Sequence, residues 1–212
     1  MASFPHRRGR LGLALITCLL AVGFALAERS EGGLLLPSAP APSCDPNSRQ
    51  IFLPWRDASY YVLIPGGSFE ASHGWTLNGG AKVVPGNEPF HVNGRSDTGS
   101  LYLPAGSSAT TPPTCFAFAD WHMRFFALNS GSRYGTLEVD VIVKGLLGIV
   151  SVLDGGRISA GSQWSPSPKV SLLLTNVGGL LGTNTISLRF RPIGSNAAFR
   201  IDDVYLDPYK GG

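Results

Sequence analysis

Two adjacent carboxylates, Asp202 and Asp203, interrupt an apolar run from Ala198 to Leu206. Read as a strand, this run points Phe199 and Ile201 to one face and Val204 and Leu206 to the other, because side chains alternate with a period of two. One extra residue at the aspartate pair, a β-bulge, would return Val204 and Leu206 to the side of Phe199 and Ile201. The bulge would also leave two carboxylates at an irregular point of a buried strand, where they need partners or a cation. A second group, Trp121-His122-Met123-Arg124, sets a flat ring beside polar side chains. Sugar sites use that mixture, the ring for apolar faces and the polar groups for hydroxyls. Trp164, in the Pro-rich stretch Gln163–Pro168, is a further ring. Trp121, His122, Arg124 and Trp164 are therefore the candidate ligand-binding residues. A loop with one half-buried tryptophan accounts for Trp121 as well, and a ring folded back on the domain accounts for Trp164. Trp75, at the start of a strand after Gly74, is expected in the core.

Catalysis finds little to stand on. The chain has no G-x-S-x-G elbow, no H-E-x-x-H and no Gly-rich phosphate loop. His73, His91 and His122 are scattered. Carboxylate pairs for glycoside chemistry could be drawn from Glu70, Glu88, Asp97 or Asp120, but no spacing selects two of them. The expectation is a protein that is not an enzyme.

The elements that must position these residues begin after a leader. Arg7, Arg8 and Arg10 precede an apolar run, Leu11 to Leu26, which ends in Ala25-Leu26-Ala27. That order reads as a secretory signal peptide over 1–27, implying a secreted, extracellular protein with no membrane insertion after cleavage. Its removal takes three of the 17 basic residues and none of the 14 acidic ones. The remaining chain is formally neutral, which argues against nucleic acid as a partner. Residues 28–49, rich in Pro, Ser and Ala, read as an extended linker. Cys18 falls in the leader. Cys44 and Cys115 remain for an oxidising compartment, where a disulfide is the plain reading.

From 50 to 212, Gly and Pro recur between short runs of Val, Ile, Leu, Phe and Tyr, which predicts one all-β domain. Thr136–Val143 alternates Leu137, Val139, Val141 and Val143 with Glu138 and Asp140; Thr185–Pro192 alternates Ile186, Leu188 and Phe190 with Ser187, Arg189 and Arg191. Each pattern predicts an antiparallel strand with one wet face. Further strands are expected over Tyr60–Ile64, Trp75–Val84, Ser100–Leu103, Arg124–Leu128, Gly148–Leu153 and Ala198–Leu206. Val170–Leu181 fits a strand and turn or one short helix.

Gly66-Gly67-Ser68-Phe69-Glu70, then Gly74-Trp75, then Ile201-Asp202-Asp203-Val204 resembles the opening and closing strands of carbohydrate-binding-module-like jelly rolls in the galactose-binding-like superfold. The whole chain, including Pro85–Phe90 and Val204–Tyr209, also resembles an uncharacterised family of secreted bacterial proteins. The first resemblance implies an antiparallel jelly-roll β-sandwich in which the two end strands share a structural calcium held by Glu70, Asp202 and Asp203. It implies a non-catalytic module for a carbohydrate, a cell-wall or environmental glycan or other cell-surface component. The alternative is a structural or adhesive exoprotein that binds another protein. No feature of the sequence fixes an oligomeric state.

Overall fold

A computed structural model describes residues 47–70, 74–115, 122–144, 148, 150–172 and 185–207. The leader, most of the linker, Cys44 and Trp121 lie outside these residues. Thirteen strands are described: β1 (Val62–Leu63), β2 (Thr76–Asn78), β3 (Lys82–Pro85), β4 (Gly99–Pro104), β5 (Ser108–Thr110), β6 (Thr114–Cys115), β7 (His122–Asn129), β8 (Thr136–Lys144), β9 (Val150–Ile158), β10 (Ser165–Pro166), β11 (Val170–Ser171), β12 (Thr185–Ile193) and β13 (Ala198–Leu206). Every pairing is antiparallel.

They form two sheets. One has seven strands in the order β10-β7-β13-β4-β3, with β1 also on β13 and β11 also on β7. The other has six, β2-β5-β12-β8-β9, with β6 also on β12. The chain crosses repeatedly from one sheet to the other, giving the expected jelly-roll sandwich. Between the layers lie Leu101, Leu103, Phe125, Phe199, Ile201, Val204 and Leu206 from the seven-stranded sheet. Leu137, Val139, Val141, Val143, Ile186, Leu188 and Phe190 face them from the six-stranded one. Burying each such side chain contributes about 1.5–3 kcal/mol. Trp75 joins this core, stacked 5.7 Å from Phe190 with its indole N–H donating to the Pro65 carbonyl at 3.1 Å.

The run Trp75–Val84, expected as one strand, is two strands in different sheets. Asn78-Gly79-Gly80 turns the chain between β2, which pairs with β5, and β3, which pairs with β4. Gly79 sits at φ 63, and a Cβ there would stand 2.7 Å from the Gly106 carbonyl oxygen, so the crossing requires glycine. β9 is longer than expected, running on through Gly155-Gly156 by way of a register shift opposite Val139 and Asp140. Beyond Leu172 the run Val170–Leu181 lies outside the described residues.

A second apolar cluster lies on the outside of the seven-stranded sheet. The chain before β1 folds back there, with Arg49 and Tyr61 exchanging backbone hydrogen bonds at 2.9 and 2.8 Å. Phe52 and Tyr61 of this segment pack on Phe126 of β7 and Tyr205 of β13, with Trp55, Leu63, Val92 and Trp164 at the margin. Phe52 stands 5.4 Å from Phe126 and edge-on to Tyr61 and Tyr205. The outward side chains of this sheet are apolar because they, too, are covered.

Candidate functional site

β13 carries the expected irregularity. Its register against β7 shifts between Asp202 and Tyr205, and Asp203 takes φ 48, a left-handed conformation that asparagine and aspartate tolerate better than most. Phe199, Ile201, Val204 and Leu206 are all buried in the main core. The bulge also changes the neighbour on one edge. Ala198–Ile201 pair with β4, whereas Tyr205 and Leu206 pair with β1. Gly67 fills the gap: its carbonyl accepts the Val204 amide at 3.1 Å, and a Cβ on it would lie 2.8 Å from the Val204 oxygen.

Asp202 and Asp203 are fully buried, and so is Glu88 from the loop after β3. Asp202 accepts the Glu88 amide at 3.1 Å and the Asp203 amide at 2.9 Å. Both carboxylate oxygens of Asp203 are buried with no hydrogen-bond partner. Burial, then the neighbouring Asp203 charge, pushes Asp202 up to about 9; burial, then Glu88 and Asp97, pushes Asp203 up to about 8. Glu70 lies on the loop before β2, beside the start of β4. It is exposed, and its carboxylate accepts the amides of Thr98 and Gly99 at 2.7 and 2.6 Å, while its charge reaches Asp203 only as a minor influence. Glu88 is the acid beside the pair, its own oxygens taken by the amides of Phe90 and Val92. Among the described residues no three His, Cys, Asp or Glu side chains converge as a metal-binding group. The unsatisfied oxygens of Asp203 nonetheless suit a hard cation. Glu88 carried a sequence signal only as one acid among several.

Of the candidate ligand residues, Trp121 lies outside the described residues, and His122, Arg124 and Trp164 lie on or beside the covered sheet. Arg124 is buried: it donates to Asp57 Oδ2 at 2.7 Å, to the Ser167 carbonyl at 2.9 and 2.7 Å, and lies 4.5 Å over Phe52. It latches the covering segment to β7, a structural task instead of ligand contact. Burial would raise Asp57, but hydrogen bonds from Lys169, Tyr61, Arg124 and the Ser59 amide outweigh it and hold the carboxyl well below its usual range. His122 is half-buried opposite Ser171, with its pKa lowered by burial and by Lys169. Trp164 is half-buried, with the Arg200 guanidinium 5.6 Å from its ring centre. Arg200 is itself fixed by Ser100 and the carbonyls of Pro85 and Gly86.

Among the described residues the outer side chains of the six-stranded sheet are mostly polar, and several are partly exposed. Thr76, Thr110, Arg189, Asp140 and Asp154 stand opposite one another on five successive strands. At about 4.8 Å per strand they make a polar row roughly 19 Å long. Beside it Arg191, Glu138 and Arg157 form a second row, and Ser187, Ile142 and Val152 a third. Glu138 and Asp140 are the buried acids between the arginines. Arg189 and Arg191 both reach Asp140, at 2.8 and 3.0 Å, and Arg157 and Arg191 both pair with Glu138. Each guanidinium is thereby held in place with N–H donors to spare. Tyr134, 77% exposed, lies just before β8 at the rim where Thr136 pairs with Ile193, with Arg133 4.6 Å over its ring. The sequence contained this face as the polar half of two alternating strands. The register that joins them into rows was not readable.

No protein-family model matches the chain, and no curated protein does. Its structure is similar to solved carbohydrate-binding modules. With the family 22 xylan-binding domain of Xyn10C from Paenibacillus barcinonensis it shares 16% identity at a TM-score of 0.47, over 69% of this chain and 94% of that one. The family 11 module from Clostridium thermocellum, solved with a β-1,3-1,4-mixed-linked tetrasaccharide, matches at 16% identity and 0.45, over 71% and 97%. The C-terminal family 22 module of Xyn10B from Clostridium thermocellum matches at 16% and 0.41, over 73% and 98%.

Proposed function

We propose that the chain is an exported, non-catalytic binding module that takes a glycan chain across the outer face of the six-stranded sheet. The observation that carries this reading is the lattice of Arg157, Arg189 and Arg191 held by the buried Glu138 and Asp140. Sugar hydroxyls are recognised by donors and acceptors whose geometry is fixed before binding, since little side-chain entropy is then lost. The rows run across the strands, so an extended polymer would meet several of them in succession. Tyr134 supplies a ring at the rim for an apolar sugar face. The test is affinity electrophoresis or calorimetry of the exported chain against a panel of neutral and acidic polysaccharides, with Tyr134→Ala and Arg191→Gln. A polysaccharide retained by the parent and weakened about tenfold or more by either change supports the reading. Binding untouched by both removes the face from it, and retention of a protein but no glycan favours the adhesive alternative.

A calcium ion at the β13 bulge belongs to the same proposal as a structural element. Asp203 would give its two free oxygens, Asp202 and Glu88 lie beside it, and backbone carbonyls and water would fill the remaining positions. Bound there, the ion would supply positive charge that lets these acids give up their protons. A Cys44–Cys115 disulfide remains part of the proposal and is checked by intact mass before and after reduction.

A further inference from the structure

The layer that covers the seven-stranded sheet turns apolar side chains to solvent. In the turn Leu53-Pro54-Trp55, Leu53 is 52% exposed, Pro54 is exposed and Trp55 is half-buried. Pro89 and Phe90, on the loop after β3, stand beside this turn: Phe90 is 44% exposed, with its ring edge-on to Trp55 at 4.9 Å. Two separate segments thus contribute to one apolar patch. Phe52 and Tyr61 already pack the covering segment onto its sheet, so holding it down does not require Leu53. Apolar side chains gathered at a surface mark a place of contact. The patch is also stiff. Buried Phe126 supports both rings from below, 5.3 Å from Trp55 and 5.5 Å from Phe90. The Glu88 carboxylate accepts the amides of Phe90 and Val92, and the Arg56 amide closes the other turn on the Leu53 carbonyl at 2.9 Å.

Charge selects the partner. The exposed ionisable side chains on residues 49–56 and 85–96 are Arg49, Arg56, His91 and Arg95, all of them basic. Among the described residues no carboxylate pairs with any of the four. The acids of this side are withdrawn from the surface. Asp57 is buried on Arg124 and Lys169, Glu88, Asp202 and Asp203 are fully buried, and Asp97 is half-buried on the Asn93 amide. A neutral glycan uses neither the arginine charge nor Leu53. An acidic one meets the charge and leaves the aliphatic side chain in water. A bilayer of anionic lipid uses both, hydrocarbon for Leu53 and Phe90 and phosphates for the cations. Trp55 has the amphipathic ring that settles at such a boundary.

We propose that this patch docks the protein peripherally on an anionic lipid bilayer, with Leu53 and Phe90 entering the boundary between headgroups and acyl chains and Arg56 and Arg95 meeting lipid phosphates. The patch lies on the side of the seven-stranded sheet, away from the face assigned to glycan, and does not rest on that assignment.

The experiment is flotation of the exported chain with vesicles of phosphatidylcholine alone and of an equimolar mixture of phosphatidylcholine and phosphatidylglycerol. The variants are Leu53→Ser, Phe90→Ser and Arg56→Asn, the last chosen because asparagine tolerates the left-handed backbone at φ 61. The parent should bind the mixed vesicles about tenfold or more tightly than the neutral ones, and added salt should weaken that binding. Each variant should weaken it several-fold. Tryptophan emission should shift to the blue on the mixed vesicles, and Trp55→Phe should remove most of that shift. Phe90 also touches Trp55 and Phe126, so its variant counts only where the melting temperature is kept; Leu53 is exposed and needs no such condition. The proposal is overturned by absence of vesicle binding, by equal binding to the two compositions, or by Leu53→Ser binding as the parent does. Retention of the parent by an acidic polysaccharide but by neither vesicle overturns it too.

Discussion

Arg124 and Arg191 both point outward from long strands, and both reach buried carboxylates, yet they do opposite work. Arg124 disappears beneath Phe52 and Asp57 and ties a folded-back segment onto its sheet. Arg191 keeps 38% of its side chain exposed beside the buried Glu138. The difference comes from what the chain offers each sheet. Ahead of β1 it supplies Phe52, Trp55 and Tyr61, which need cover and find it on Phe126 and Tyr205. Around β8 and β12 the outward positions are mostly Thr, Ser, Glu, Asp and Arg, whose charges pair with one another or meet water. One sheet thus gains a second core and the other keeps a polar outer face among the described residues.

The largest effect should come from unlatching the covered face. Arg124→Ala leaves Asp57 buried with one partner fewer, and breaking such a pair costs about 3–5 kcal/mol. Urea denaturation should show that loss, while any molecules still folded keep their affinity for glycan. Asp57 adds an acid limit. Its native pKa is depressed, so its contribution is present above the unfolded value and is lost as pH falls through the native one.

Next in size is the bulge. Asp202 and Asp203 have native pKa values raised to about 9 and about 8, from 3.8. The folded state therefore holds more protons than the unfolded one between those limits, and their stabilising contribution declines as pH rises from about 4 to about 9. In chelator the melting temperature should fall across that window. Calcium should raise it most at the alkaline end, where it no longer competes with protons. Asp203→Asn should flatten both responses; a melting curve indifferent to calcium at pH 8 removes the ion and leaves the bulge.

Smaller effects on stability are expected from the open face. Tyr134→Ala should alter unfolding free energy by no more than about 0.5 kcal/mol, as exposed positions do, while glycan affinity drops. Thr76→Ala should be the mildest of the set, measurable only in binding. If Tyr134→Ala instead destabilised the domain as Arg124→Ala does, the contrast between the two faces would collapse.

The sequence made the sheets legible because alternation is local. β8, β12 and β13 read correctly, and the slip at Asp202-Asp203 announced the bulge, since apolar residues out of phase have only one cheap remedy. Trp75 was readable as core because large aromatic side chains are mostly buried. What stayed hidden depends on distant partners. Nothing near Arg124 points to Asp57, 67 positions away, and nothing near Asp202 points to Glu88, 114 positions away. Asn78-Gly79-Gly80 has the residues of a turn inside the run Trp75–Val84, but does not show a passage between layers, because a glycine turn looks alike whichever sheet receives the next strand. The second core was missed because Phe52, Trp55 and Tyr61 lie singly in the irregular chain before β1, with no period to expose them.

The position of β13 has a consequence for how the molecule comes together. It is the last described strand in the chain, and it lies between β7 and β4, bonded to both. Until residue 206 has been synthesised, the seven-stranded sheet has no middle: β4 and β7 have no shared neighbour, and Phe126 has no Tyr205 beside it. Partial chains must therefore wait without their central contact, and folding awaits pairings about 100 positions apart, which are slow to form. Such a chain stays pliable through most of its synthesis, the condition in which a polypeptide can be threaded through a narrow channel before it acquires its shape.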